Sequence, residues 1–180
     1  MKTPTLLIIV GISLILSACS PTNRIAKINM DDQGSVIKNI KVEYDNFKKT
    51  TNITAPNITK KKWGQVRRDQ LFLRAFKNDK TKNILYQIYV ADYYEGDWRF
   101  YNSAHDSNGN RLNLTKIDRK TISCTVDVCS HKEHIALNVT IKYLEANSNS
   151  GISFKVSGKA GEEVFFIPSA YIKAFLSVAK

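Results

Sequence analysis

The sequence lacks the motifs and repeats that identify many enzymes and fibrous proteins. Four prolines, eight glycines and no tandem period exclude collagen-like and repeat architectures. GxSxG, HExxH and glycine-rich phosphate loops are absent. The three histidines, His105, His131 and His134, stand outside any recognisable catalytic motif. Because an enzyme needs a nucleophile, a base and an orienting group, we expect no catalytic residues, no enzymatic activity and no cofactor.

The N-terminal apolar run is shorter than a membrane span. It extends from Leu6 to Leu16, covers 11 residues and is broken by Gly11 and Ser13. A transmembrane helix needs about 20 apolar residues, so this run is too short to cross a bilayer. The positive charge of Lys2 before it and the small residues after it are typical of a secretory signal. An N-terminal anchor or a buried helix is the alternative.

The signal ends at Leu16-Ser17-Ala18-Cys19, which resembles the lipobox of bacterial lipoproteins. That resemblance implies cleavage before Cys19 and attachment of acyl chains such as palmitate to this cysteine. Two or more acyl chains give stable membrane attachment, whereas a single chain binds reversibly. Ser20 follows the cysteine, and the family pattern then favours the outer membrane over retention in the inner membrane.

The chain after Cys19 is long enough for one domain with its own core. We expect residues 1–18 to be a cleaved signal peptide, 19–35 a lipidated flexible tether and 36–180 a β-rich periplasmic domain. The segments WRFYNSAHDSNG, CTVDVC, GISFKVSG and FIPSAYIKAFL are also similar to those of small proteobacterial envelope lipoproteins without an assigned role.

Alternating apolar and polar residues predict a mainly β fold. We expect a single antiparallel β-sandwich or barrel-like domain, in which WRFYNSA returns along the strand before it. The predicted strands are NIKVEYDNF, QLFLRAFK, NILYQIYVADYY, WRFYNSA, HIALNVTIKYL, ISFKVSG and EEVFFIP.

The last segment, PSAYIKAFLSVAK, predicts a short C-terminal helix. Ser169 is the candidate cap. A final strand is the alternative, because short apolar runs separate the two structures weakly. The apolar residues that recur at helical spacing are Tyr171, Ile172, Phe175, Leu176 and Ala179.

Cys124 and Cys129 predict a local disulfide. Exported proteins form disulfides readily, and a hairpin turn brings such a pair within bonding distance. The alternative is a metal site that adds His131 and His134 to the two cysteines. Its spacing matches no familiar zinc pattern, and the two histidines would point to opposite faces of a strand. We therefore expect no metal.

Positive charge is concentrated in residues 48–82, which contain eleven lysines and arginines against Asp69 and Asp79. Clustered cations beside an aromatic side chain suit a polyanion, so anionic lipid, lipopolysaccharide or peptidoglycan are the candidate partners. Export argues against nucleic acid. A solvated basic loop is the alternative. The predicted polyanion site consists of Lys60, Lys61, Lys62, Trp63, Arg67 and Arg68.

Together these features predict a lipid-anchored protein of the bacterial outer membrane, with its domain facing the periplasm or the cell surface. We expect a non-enzymatic binding module for an envelope polyanion or a protein partner. A structural accessory subunit of an envelope assembly is the alternative.

Replacing the lipidation residue tests the anchor. Cys19→Ala should release the protein from the membrane or leave it as an unprocessed precursor, because the acceptor sulfur is lost. Membrane fractionation and the intact mass of the mature protein provide the measurement. A wild-type protein free of acyl groups, with unchanged fractionation of the variant, would contradict the lipoprotein prediction.

Overall fold

The domain consists mainly of β-strands. The computed structural model describes residues 28–58 and 69–180, of which 51% lie in strands. The elements are, in chain order, α1 (Gln33–Ile37), β1 (Lys41–Asp45), β2 (Thr50–Thr54), β3 (Gln70–Asn78), β4 (Ile84–Glu95), β5 (Ser103–Asp106), β6 (Asn113–Cys124), β7 (Cys129–Val139), α2 (Ile141–Ala146), β8 (Ile152–Gly158), β9 (Gly161–Ile167) and α3 (Ser169–Ala179).

The strands form two antiparallel sheets. Six strands build the larger sheet in the order β1-β2-β3-β4-β7-β6, and three build the smaller sheet in the order β5-β8-β9. Every strand pair is antiparallel. This architecture, followed by the short helix α3, confirms the predicted mainly β fold with a C-terminal helix.

Both sheets and α3 contribute to one hydrophobic core. Alternate side chains of the central strands point into it, and they include Leu73 on β3, Ile88 on β4 and Leu137 on β7. The smaller sheet adds Phe154, and α3 adds Phe175. The alternation of apolar and polar residues that predicted the central strands therefore also indicates correctly which of their side chains are buried.

Two tyrosine hydroxyls tie α3 to the larger sheet. Tyr171 donates to the carbonyl oxygen of Pro56 at 2.7 Å and accepts from the backbone N–H of Leu73 at 3.3 Å. Tyr86 on β4 donates to the carbonyl oxygen of Ala179 at 3.1 Å. Because buried hydroxyls need partners, these bonds let large aromatic side chains fill the core without an unsatisfied polar atom.

The start of α3 differs from the prediction in one detail. Ser169 is the first helical residue, Pro168 occupies the capping position, and no side chain caps this end. The predicted apolar face is confirmed, since its members are all buried: Tyr171, Ile172, Phe175, Leu176 and Ala179.

In the part of the chain that the structure describes, no helix is long and apolar enough to cross a membrane.

The described chain enters the core through α1. This helix begins at Gln33, inside the range 19–35 expected to be a tether, and Val36 is fully buried. The buried core residues of the described chain lie between Val36 and Ala179. A chain that begins at Ser20 therefore retains the whole described core.

The aromatic segment after β4 does not return along β4 as predicted. β4 pairs with β3 and β7, whereas WRFYNSA leads into β5, which pairs with β8 in the smaller sheet. The chain crosses between the two sheets over residues 96–102, which we call the crossing segment. A Cβ at Gly158 would lie 2.1 Å from the carbonyl oxygen of Arg99, so only glycine fits against this segment.

The alternation in HIALNVTIKYL is interrupted by a helix. β7 ends at Val139 and α2 begins at Ile141. Between them, the hydroxyl of Thr140 accepts a hydrogen bond from the backbone N–H of Tyr143 at 3.1 Å. The predicted strand is wrong over its last five residues, Thr140 to Leu144, because this N-cap starts a helix inside an apparently continuous alternating pattern.

The predicted strand at NIKVEYDNF is present as β1, but its apolar side chains are not buried. Val42 and Tyr44 are 56% and 48% exposed. β1 is the edge strand of the larger sheet, and in the described chain it pairs only with β2. Alternation therefore identified this strand without revealing that its apolar face lacks a covering layer.

The contrast between two phenylalanines tests this description of the core. Phe175 is fully buried on α3, and Phe47 in the β1–β2 turn is 100% exposed. Phe175→Ala should lower the free energy of unfolding by about 3–5 kcal/mol, because it removes buried apolar surface and leaves a cavity. Phe47→Ala, the matched control, should leave it nearly unchanged. Chemical denaturation measures both, and equal losses would contradict the assigned core.

Candidate binding surfaces

Most of the predicted functional residues lie outside the described residues. The lipidation site and the polyanion site at those positions stay predictions. The described parts of the basic segment 48–82 contain six of its eleven cations, and five of these six lie at one end of the larger sheet. The residues outside the description are Cys19, Lys60, Lys61, Lys62, Trp63, Arg67 and Arg68.

The two cysteines predicted to pair are at disulfide-bond distance. The Sγ atoms of Cys124 and Cys129 are 2.00 Å apart, and these residues form the last pair of the β6–β7 ladder. Within the loop, the backbone N–H of Thr125 donates to the carbonyl oxygen of Val128 at 2.8 Å. Closing so small a loop contributes about 2 kcal/mol in the chain-entropy model, so the bond pins an exposed turn.

The two histidines near this disulfide lie on opposite faces of β7, and only His131 lines the same cleft as Cys129. His131 is buried and packs against Trp98, with ring centroids 4.0 Å apart and ring planes tilted by 30°. His134 points to the other face, where its Nδ1 is 2.6 Å from the hydroxyl oxygen of Tyr89. No group of three His, Cys, Asp or Glu side chains among the described residues is placed to hold a metal.

Two turns bring together lysines that are about thirty positions apart in the sequence. The β1–β2 turn and the β3–β4 turn lie at the same end of the larger sheet, because β2 and β3 are paired. The backbone N–H of Asp79 donates to the carbonyl oxygen of Lys49 at 3.0 Å, so the turns are in direct contact. We call the following five residues the lysine end: Lys48, Lys49, Lys77, Lys80 and Lys82.

Side-chain hydrogen bonds define the shape of both turns. A carboxylate oxygen of Asp45 accepts from the backbone N–H groups of Phe47 at 2.9 Å and Lys48 at 3.0 Å. The side-chain oxygen of Asn78 accepts in the same way from Lys80 at 2.9 Å. Asp and Asn commonly stabilise turns through such bonds. Four of the five lysines are therefore carried by turns of fixed geometry, and Lys77 lies at the end of β3.

Positive charge dominates the lysine end. Four of its lysines are exposed, Lys77 is half-buried, and none of the five forms an ion pair with another described residue. The two nearby acids are Asp45 and Asp79. The hydrogen bond from the backbone N–H of Lys48 holds the pKa of Asp45 below its ordinary value. This carboxylate is therefore already hydrogen-bonded to backbone groups of its own turn. The surface presents an excess of unpaired ammonium groups.

A second group of charged side chains lies buried beneath the crossing segment. Glu133 on β7 is 4% exposed. One of its oxygens accepts from the hydroxyl of Tyr94 and from the backbone N–H of Phe100 at 2.8 Å. Its other oxygen accepts from the backbone N–H of Tyr101 at 3.1 Å. A single buried carboxylate thus binds two consecutive amides of the crossing segment.

Asp92 on β4 lies beside this network. One of its oxygens accepts from the guanidinium of Arg99 at 2.9 Å and from the hydroxyl of Tyr101 at 2.6 Å. The other oxygen has no hydrogen-bond partner among the described residues. Burial raises the pKa of Asp92 to about 6, although the bonds from Tyr101 and Arg99 partly offset this, and the nearby carboxylates Asp69 and Glu163 raise it further.

The chemistry of this cluster suits a structural role. Arg99 also contacts Glu163 at 3.3 Å and packs over the ring of Tyr94 at 4.5 Å. Phe100 adopts a φ of 51°, which is uncommon for a bulky residue. Glu133 compensates for this backbone cost through its hydrogen bonds. The cluster therefore fixes the path of the crossing segment. No sequence motif indicates the presence of this cluster.

A third network crosses the outer face of the larger sheet. Arg74 donates to the side-chain oxygen of Gln87 at 2.8 Å, and Gln87 donates to that of Asn138 at 2.7 Å. The Arg74 guanidinium lies 4.7 Å from the ring centre of Tyr89, which stacks on Phe72 at 4.6 Å. Because these groups already satisfy one another, the network is a cross-strand ladder that stabilises the sheet.

Comparison with known proteins adds no relative. No family model, no curated protein and no solved structure matches the chain.

The raised pKa of Asp92 predicts a pH-dependent stability. Between its ordinary pKa of 3.8 and about 6, the folded state binds this proton and the unfolded chain has released it. The free energy of unfolding of the wild type, relative to Asp92→Asn, should therefore fall by on the order of 2 kcal/mol as the pH rises from about 4 to about 7.

Denaturant titrations at several pH values measure this difference, in which the contributions of carboxylates that do not interact with Asp92 cancel. A difference that stays constant with pH, or that grows as the pH rises, would contradict the raised pKa of Asp92.

Proposed function

We propose that this protein is a lipid-anchored outer-membrane protein whose β domain is a non-enzymatic binding module for an envelope polyanion. The lipobox resemblance at Cys19 supports the anchor and the location. The lysine end supports the polyanion. It places four cations on two hydrogen-bonded turns that the β2–β3 pairing holds side by side, and it adds Lys77 at the end of β3.

The arrangement at the lysine end favours anion binding over simple solvation. Lysines on a solvated surface are commonly interspersed with acids that balance them. Here the exposed ammonium groups outnumber the two acids of the same turns, and one acid is bonded to backbone amides. A multivalent anion can contact several of these charges at once, and it releases counterions when it does so.

The site predicted from Lys60, Lys61, Lys62, Trp63, Arg67 and Arg68 remains part of this proposal. These residues belong to the same basic segment as the lysine end. Their contribution can be separated from that of the lysine end by neutralising each set independently.

A protein partner, or a role as an accessory subunit of an envelope assembly, is the second candidate. One observation favours it. The disulfide-closed tip of the β6–β7 hairpin carries Val126 fully exposed, with Ile122 and Val128 partly exposed nearby. The tip borders a cleft of about 440 Å³ that Trp98 also lines. Exposed apolar side chains on a pinned turn are typical of contact surfaces.

Neutralising the four exposed lysines of the lysine end tests the proposed function. The chain from Ser20 onward, carrying Lys→Gln at positions 48, 49, 80 and 82, should bind soluble lipopolysaccharide or polyphosphate much more weakly. The slope of log affinity against log salt should also decrease, by roughly one unit for each lost contact. Thermal stability should change little, because exposed charges contribute little to folding.

The matched control carries Lys→Gln at positions 116, 120, 159 and 173, which are exposed on β6, the β8–β9 turn and α3. It changes the net charge equally and should bind as the wild type does. A third variant, with Gln at positions 60, 61, 62, 67 and 68, measures the other set. If all three variants bind these polyanions as the wild type does across salt concentrations, the polyanion proposal is wrong and the partner candidate leads.

A further inference from the structure

The β1–β2 turn carries a large apolar side chain at its tip. Phe47 is 100% exposed, so no described residue covers any part of it. Burying a phenylalanine side chain is favourable by roughly 1.5–3 kcal/mol, and leaving it in water forgoes that gain. A fully exposed phenylalanine on an otherwise polar turn therefore needs an explanation in the function of the turn.

The position of Phe47 is fixed by the turn that carries it. Asp45 accepts hydrogen bonds from the backbone of Phe47 and of Lys48, and the hydroxyl of Thr50 donates to the carbonyl oxygen of Lys48 at 3.2 Å. Lys49 is bonded in turn to Asp79 of the neighbouring turn. The side chain of Phe47 thus projects from a turn that is held in place by hydrogen bonds.

The surroundings of Phe47 are cationic. Lys48 and Lys49 follow it directly, and the contacting β3–β4 turn adds Lys80 and Lys82. Soluble polyphosphate would use the ammonium groups, but it has no apolar surface to contact the phenyl ring. An anionic bilayer uses both, since lysines contact headgroup phosphates while an apolar side chain enters the acyl boundary. The combination favours a lipid surface.

The opposite end of the larger sheet provides an internal comparison. Val126 is as exposed as Phe47, yet the cleft beneath it is lined by Asp97 and Asp127 and by no lysine or arginine among the described residues. Anionic headgroups would be repelled there. Charge complementarity therefore distinguishes the two exposed apolar tips, and it selects the Phe47 tip for a membrane.

We propose that the lysine end docks on anionic phospholipid headgroups and that Phe47 inserts into the bilayer interface. This proposal rests on the proposed function, because it names the polyanion that the lysine end would bind. The proposed lipid anchor makes the contact feasible. About a dozen residues separate Cys19 from α1, and a chain of that length spans at most roughly 50 Å, so the domain would stay close to the membrane.

Vesicle partitioning tests the insertion of Phe47. The chain from Ser20 onward, which retains the described core, is mixed with vesicles of phosphatidylcholine alone or with about one third phosphatidylglycerol. We expect binding to the anionic vesicles only. Phe47→Ser should weaken it by at least about tenfold, because the apolar contact is lost. Val126→Ser, the matched control, should bind as the wild type does.

Soluble polyphosphate separates this proposal from the proposed function. Phe47→Ser should bind polyphosphate like the wild type, because its lysines are intact. If Phe47→Ser partitions onto anionic vesicles as the wild type does, insertion is wrong, while lysine-dependent polyphosphate binding would still support the proposed function. If the wild type binds neither probe, both proposals are wrong. Unchanged thermal unfolding of Phe47→Ser and Val126→Ser shows that the comparison concerns folded protein.

Discussion

The buried carboxylate of Glu133 holds the two sheets in their relative positions. It lies on β7 in the larger sheet, and its oxygens accept hydrogen bonds from the backbone amides of Phe100 and Tyr101 just before β5 enters the smaller sheet. A buried carboxylate without such donors would cost several kcal/mol. The crossing segment supplies those donors, and in return its uncommon backbone conformation at Phe100 is stabilised. Either feature alone would be unfavourable, and together they determine where the chain changes sheets.

The neighbouring pair of Asp92 and Arg99 extends the same constraint. Arg99 links Asp92 on β4 to Glu163 on β9, so one guanidinium contacts both sheets. The close approach at Gly158 follows from this, because the carbonyl group of Arg99 occupies the space of a side chain there. The packing of the smaller sheet thus depends on a few polar contacts as well as on the apolar core. This makes the raised pKa of Asp92 a property of the interface between the sheets.

The sequence predicted strands where apolar and polar residues alternate, including the exposed edge strand β1, and it failed where that alternation is absent. β3, β4, β7, β8 and β9 alternate because one face of each meets the core. The edge strand β6 has almost no buried residue, so its pattern carries no periodic signal and it went unpredicted. β2 contributes only Ile53 to the core and was missed for the same reason. The error at α2 has another cause, since Thr140 caps a helix inside an alternating run.

The charge of residues 48–82 was evident from the sequence, but its arrangement was not. The lysine end depends on the pairing of β2 with β3, a tertiary fact that no local pattern states. The alternating pattern places Phe47 at the end of a strand, because the hydrogen bonds that Asp45 accepts in the turn cannot be recognised in DNF without the fold. The buried carboxylates were equally hidden, since nothing local distinguishes Asp92, inside the protein, from Asp97 in an exposed turn.

The placement of the lysine end has a physical consequence for a protein held by a lipid. A single tether at Cys19 would restrict the distance of the domain from the bilayer but not its orientation. A second contact at one end of the sheet would fix the orientation as well, and the tether would raise its effective concentration, so individually weak contacts would suffice. In that orientation the strands of the larger sheet would run away from the membrane. The disulfide-closed tip with Val126 would then stand at the far end, where the acids of its cleft face solvent instead of headgroups. The two exposed apolar tips would serve different surfaces, and the opposite charge of their surroundings would assign one to lipid and leave the other available to a partner.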